Sequence, residues 1–237
     1  MNLKFFTALL ASQSISALAE CQNVLSCSQS VDSCCSPKMG VIVLALQWIQ
    51  NSGPSDQWTL HGLWPNNCDG SYGPADGCDN SRNYNNMAQI VAQDKALEAE
   101  MNEYWSSYKG DNPAFWSHEW NKHGTCLSTV EPKCYTNYKT AMEVRDYFKQ
   151  ALALRKQFNL YKILSDNGVK PGKTYTKQQI SDAAKKGLGK QVTLVCKGKA
   201  LEEVRIEFKV QGKNDYKPID VKNTGSCPSS GIQYAPK

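Results

Sequence analysis

The sequence predicts a single α+β domain, and three observations carry that reading. The run Gly40-Val41-Ile42-Val43-Leu44-Ala45-Leu46-Gln47-Trp48 is continuously apolar and β-branched at its start, as a central strand buried on both faces should be. Near the other end, Val204, Ile206, Phe208 and Val210 alternate with Arg205, Glu207 and Lys209, the period-2 pattern of a strand with one wet face. Between them lie stretches with helical spacing, and no internal repeat or low-complexity linker divides the chain.

Taken in order, residues 1–19 stand outside the fold. Lys4 supplies a short positive region, Phe5 to Ala11 is apolar, and Ala17-Leu18-Ala19 is an A-x-A cleavage site, so a signal peptide is expected and the mature domain spans 20–237. The apolar run is too short to span a bilayer. Secretion, or delivery to a vacuole-like compartment, follows as an expectation. All ten cysteines, at 21, 27, 34, 35, 68, 78, 126, 134, 196 and 227, fall in the mature part. An even count behind a signal peptide argues for disulfides rather than catalytic thiols. Adjacent Cys34 and Cys35 must bond to different partners, but about nine hundred pairings remain open by counting alone.

Residues 20–38 read as an irregular, disulfide-held arm. Asn51 to Asp56 is a turn cluster, and Gln57 to Leu60 a short strand delivering His61 to its end. Asn66 to Asn86, rich in Gly, Asn and Asp, is a long surface loop of the kind that carries substrate-reading residues. Helices are expected over 86–104, 113–123, 135–156 and 159–166. A further helix starts at the capping box of Thr176 and Gln179 and ends at Gly187. Strands follow over 192–196 and 201–210, joined through Lys197-Gly198-Lys199 as a hairpin. A mature net charge one below the full-length +5 is mildly compatible with a polyanionic substrate.

The chemistry concentrates in Phe115-Trp116-Ser117-His118-Glu119-Trp120-Asn121-Lys122-His123-Gly124-Thr125-Cys126. Asn112 reads as the N-cap, Pro113 as the first helical residue and Gly124 as the C-terminal glycine. On a helix, His118, Glu119, Lys122 and His123 fall within an arc of roughly 140°, close enough to perturb one another's ionisation. The chain's remaining histidine, His61, sits in His61-Gly62-Leu63-Trp64-Pro65. The competing readings are a solvated face of charge pairs and a zinc site. Zinc motifs place histidines at i and i+4, whereas the i, i+5 spacing here splays them. Imidazoles, a carboxylate and an ammonium without a serine or cysteine nucleophile point to general acid–base chemistry on a phosphodiester. An attacking ribose 2′-OH would need no metal and would separate RNA from DNA.

Thr59-Leu60-His61-Gly62-Leu63-Trp64-Pro65 and Phe115 to Cys126 resemble the two active-site signatures of the ribonuclease T2 family, and the ten-cysteine pattern is similar to its fungal branch. The resemblance implies an α+β fold with a central antiparallel sheet packed with helices. It implies that His123 deprotonates the 2′-OH and His61 protonates the departing 5′-oxygen, the two exchanging roles when the 2′,3′-cyclic phosphate is hydrolysed. His118 would bind phosphate, and Glu119 and Lys122 would stabilise the pentacoordinate transition state. Trp64 and Tyr72 would sandwich the upstream base beside position 66, and Gln47 would belong to the downstream base site. The implied bridges are Cys21–Cys35, Cys27–Cys68, Cys34–Cys134, Cys78–Cys126 and Cys196–Cys227. The implied partner is single-stranded RNA, read with broad base preference and at acid pH; no metal, cofactor, DNA or membrane is expected, and a monomer is the default. Asn66 departs from the aspartate of the fungal members that the chain resembles, and Ser106-Ser107-Tyr108-Lys109 also differs from them, so an adenine preference is not carried over. The leading rival is a secreted binding protein of the same fold, in which nothing would keep His61, Lys122 and His123 together. A metal-dependent nuclease, silenced by EDTA, is the other.

Overall fold

The computed structural model describes residues 24–28 and 32–237. The predicted leader and Cys21 lie outside the described residues. Strand β1 (Val41–Gln47) is buried along its whole length because it is flanked on both sides. It pairs antiparallel with β2 (Thr59–Asn66) and with β5 (Ala200–Gln211). The long β5 also pairs antiparallel with β4 (Thr193–Lys197) and β6 (Asp215–Ile219). A single parallel pair, Ala200 with Gln233, attaches β7 (Ile232–Tyr234), which in turn pairs antiparallel with β3 (Lys173–Tyr175). The predicted central antiparallel sheet is therefore present, with that one parallel contact.

One face of the sheet presents Ile42, Leu44, Leu46, Leu60, Leu63, Val204, Ile206 and Phe208 to the main core. Helix α1 (Met87–Ala92), α2 (Lys95–Tyr104), α3 (Asn112–Lys122) and α4 (Met142–Gln157) contribute Ile90, Met101, Trp116, Tyr147 and Phe148 to the same core. Helices α5 (Leu160–Asp166) and α6 (Lys177–Leu188) close its far end. Val43, Ala45 and Trp64 form a separate small cluster on the opposite face, where Arg205 and Glu207 alternate out of the core along β5. This less covered face carries the chemistry.

Several expectations need correction at their edges. The single helix predicted over 86–104 is two, because Asp94 adopts an extended backbone and caps α2 at Leu97 N. The helix predicted from 135 begins only at Met142, after Ala141 in the left-handed region (φ 63°). The Thr176 capping box holds with both of its hydrogen bonds, but α6 runs past Gly187 to Leu188 and ends on Gly189. Strands β3, β6 and β7 went unpredicted; at three to five residues they are too short for an alternation to stand out. The bridges Cys27–Cys68, Cys34–Cys134, Cys78–Cys126 and Cys196–Cys227 form as expected. Cys35 is disulfide-bonded as well, and its expected partner Cys21 is not among the described residues.

Candidate active site

His61 does not stand at the end of a strand, as predicted, but inside β2. In the β1–β2 register Ala45 faces Gly62 and Leu46 faces Leu60, so His61 is the extra residue of a β-bulge. Its neighbours in register, Leu60 and Leu63, both point into the core. The bulge turns His61 the other way, which is a common use of this irregularity beside active sites. The Trp105 indole N–H donates to the His61 carbonyl at 2.9 Å and pins the backbone there.

Helix α3 supplies the other groups. Its cap is Asp111, which accepts from Ala114 N, and not Asn112 as predicted; Asn112 is the first helical residue. Two tryptophans root the helix in the core, Trp116 donating to the Trp105 carbonyl and Trp120 to the Arg82 carbonyl, each at 2.7 Å. Gly124 is not in the left-handed region; it is glycine because a Cβ there would run into the Trp120 ring. Cys78–Cys126 clamps the end of α3 to the 66–86 loop.

These elements meet around a cleft of about 420 Å³ walled by His61, Trp64, Asn66, Tyr72, His118, Glu119, Lys122, His123 and Arg205, among others. The helical arc drawn from sequence is thus one wall, and His61 faces it from the sheet. The His61 Nε2 lies 3.9 Å from Glu119 Oε1. The Trp64 indole N–H donates to Glu119 Oε2 at 2.9 Å, and the Trp64 ring stacks on His123 with centroids 5.2 Å apart. Gly62 lets this happen, since a Cβ would overlap both Glu119 Oε2 and Trp64 Nε1.

The model of the "Ribonuclease T2 family" matches residues 23–220. The chain is 44% identical over 216 residues to ribonuclease Rh of Rhizopus niveus, covering 90% of each, and 42% identical over 228 residues to ribonuclease T2 of Aspergillus oryzae, covering 92% of this chain and 81% of that one. Among solved structures it superposes on Actibind, a T2 ribonuclease, with TM-score 0.85 and 38% identity, covering 92% of this chain and 97% of that chain.

The chain belongs to the ribonuclease T2 family. It is an endoribonuclease of the T2 type.

The two imidazoles of this T2 enzyme that flank Trp64 have opposite electrostatic settings. For His61, burial works against the charged form, but the Glu203 hydrogen bond and the charges of Glu119 and Glu203 outweigh burial and Arg205, and its pKa is raised above 6.5. His123 is half-buried with no carboxylate partner among the described residues, and burial, Lys122, His118 and His61 push it down to about 3. Burial and Lys122 also lower His118. Glu119, 1% exposed, is driven up to about 7 by burial, partly offset by His61, the Trp64 hydrogen bond and Lys122. Between about pH 3 and 6.5, His61 is therefore charged while His123 is neutral.

Among the base-site residues, Tyr72 is exposed at the rim (74%), whereas Trp64 is largely buried (8%) between Glu119, His61 and His123. Asn66 ends β2 on the cleft wall. Gln47 stands apart from that wall: its amide donates to the Leu60 and Ser106 carbonyls, tying the 106–109 segment to the sheet. Glu203 and Arg205 were missed. The only sequence signal was a pair of charges on the wet face of an alternating strand, a pattern that surface residues share.

Proposed function

We propose that this T2-family enzyme cleaves single-stranded RNA by metal-independent transphosphorylation, with His123 as base and His61 as acid. The carrying observation is the asymmetry of the two imidazoles: His61 is held between Glu119 and Glu203, and His123 lies beside Lys122 without a carboxylate among the described residues. A base must start neutral and an acid must start charged. His123 takes the 2′-OH proton, the 2′-oxygen attacks phosphorus, and the P–O5′ bond breaks as His61 protonates the leaving oxygen. The product is a 2′,3′-cyclic phosphate. Water then attacks it with the roles exchanged, breaking P–O2′ and leaving a 3′-phosphate.

Lys122 and His118 face the position of the phosphoryl oxygens, and Glu119, largely protonated on the acid side of about 7, donates to one of them without repelling it. The upstream base lies between Trp64 and Tyr72, with Asn66 at its edge; stacking favours broad base preference. DNA lacks the nucleophile and is not cut. The Ala17-Leu18-Ala19 site and the cysteine-rich composition support export of the chain.

The test is total RNA cleaved at pH 5 in EDTA by wild type and His61→Phe. Wild type is expected to release 2′,3′-cyclic phosphates with full activity in EDTA, and the variant to lose about 10²- to 10⁴-fold. The sign of the pH dependence follows from the assignment. Activity rises with pH as His123 deprotonates at about 3 and falls as His61 deprotonates above 6.5, giving a broad acid-side optimum. A rate still rising above pH 8 would sink the assignment, and loss of cleavage in EDTA would sink the metal-free route.

A further inference from the structure

Glu203 sits 142 residues from His61 in sequence and in a different strand. Its carboxylate is buried, and each oxygen has one partner. Oε2 lies 2.5 Å from His61 Nδ1, and Oε1 accepts from Arg205 Nε at 2.6 Å. Glu203 and Arg205 are two residues apart on β5, so both project from the same face. In register, Glu203 faces Gln47 and Arg205 faces Ala45 on β1, beside the bulge that turns His61 out of the core. The Arg205 guanidinium also lies over the Trp64 ring, 5.1 Å from its centroid.

We infer that Glu203, anchored by Arg205, is the positioning residue of the proton donor: by accepting the Nδ1 proton of His61 it orients the ring so that Nε2, carrying the other proton, faces the scissile phosphate. The inference rests on the assignment of His61 as the acid. An imidazole with Nδ1–H committed to a carboxylate can only give or take protons at Nε2. Here Nε2 points toward Glu119 and the cleft. His123 has no such partner among the described residues. The pair thus distinguishes two imidazoles that would otherwise compete for either role.

The other titratable or charged groups around His61, among the described residues, are Glu119, Lys122, His118 and His123 from α3 and its cap, and Arg205 from β5. Glu203 is the one in hydrogen-bond contact with the His61 ring. Its substitution by the isosteric amide keeps an acceptor but removes the charge, leaving His61⁺ less favoured. Arg205 acts with the opposite sign, because its charge disfavours His61⁺.

The decisive experiment varies the leaving group. Wild type, Glu203→Gln, Arg205→Met and His61→Phe are assayed on uridylyl-3′,5′-uridine, whose 5′-alkoxide needs a proton, and on uridine 3′-(4-nitrophenyl phosphate), whose phenolate does not. Glu203→Gln is expected to lose on the order of 10²-fold in kcat/KM on the dinucleotide, the lower end of what a general acid contributes, and under about 3-fold on the nitrophenyl ester. The alkaline limb of its kcat/KM profile moves to lower pH, and that of Arg205→Met to higher pH. Equal losses of Glu203→Gln on both substrates, or an unmoved limb, would reduce Glu203 to an ordinary structural ion pair. If His61→Phe shows the leaving-group dependence and Glu203→Gln does not, the inference alone fails. If His61→Phe loses equally on both substrates, the acid assignment falls, and the inference with it.

Discussion

Gly62 is the residue where packing and catalysis meet most tightly, and Gly62→Ala puts both to the test. The added methyl overlaps Glu119 Oε2 and Trp64 Nε1, two atoms already joined by a hydrogen bond in a buried setting. Neither partner is a free side-chain end: Glu119 is 1% exposed and Trp64 8%, and the Trp64 ring is stacked on His123. On the acid side, where Glu119 is largely protonated, losing this neutral hydrogen bond costs about 0.5–1.5 kcal/mol, and overpacking adds about 1–3 kcal/mol. A total of about 1.5–4.5 kcal/mol corresponds to a fall in Tm of roughly 3–18 °C for a domain of this size. Pushing Glu119 aside also moves a group 3.9 Å from the His61 imidazole, and a displacement of about 1 Å in such a site costs about 10²-fold in rate. Thermal unfolding under non-reducing conditions and kcat/KM on a dinucleotide measure the two effects separately. A variant with wild-type Tm would refute the packing argument. One with lowered Tm but unchanged kcat/KM would refute the claim that the Glu119–Trp64 contact serves the reaction.

Three further outcomes follow from the same geometry. Glu119→Gln, which imitates the protonated carboxyl that burial favours, should retain most activity at pH 5, while Glu119→Ala should lose about 10²- to 10³-fold; equal losses would show that the charged form is the working one. Tyr72→Ala removes an exposed ring and should raise KM by an amount equivalent to about 1–3 kcal/mol of stacking, leaving kcat within a few-fold; a pure kcat defect would contradict the base-binding role. Replacing Cys78 and Cys126 together by serine opens a loop with a sequence separation of 48 and should cost about 4 kcal/mol of stability, read as a lower denaturation midpoint; an unchanged midpoint would mean that the loop is held by its other contacts.

The strands and helices that were legible in the sequence are those with strong, uninterrupted patterns. Gly40–Trp48 and 201–210 are long enough for burial to impose its period, and Thr176 with Gln179 is a local cap that needs no tertiary partner. The failures sit where a local cap or a long-range contact overrules the periodic pattern. The break at Asp94 interrupts one helical pattern with a cap. Strand β7 is recruited to the sheet by a single parallel pair with β5.

The candidate site divides in the same way. By itself the sequence determined which residues of α3 share a face, because 100° per residue is a local rule, and that His61 and the α3 cluster belong to the two signatures of one family. Tertiary structure alone decided which imidazole is charged. The bulge at His61, Glu203 brought from β5 and the partial burial of His123 each depend on contacts between residues far apart in the chain. Protonation follows the local field, and only the folded chain creates that field.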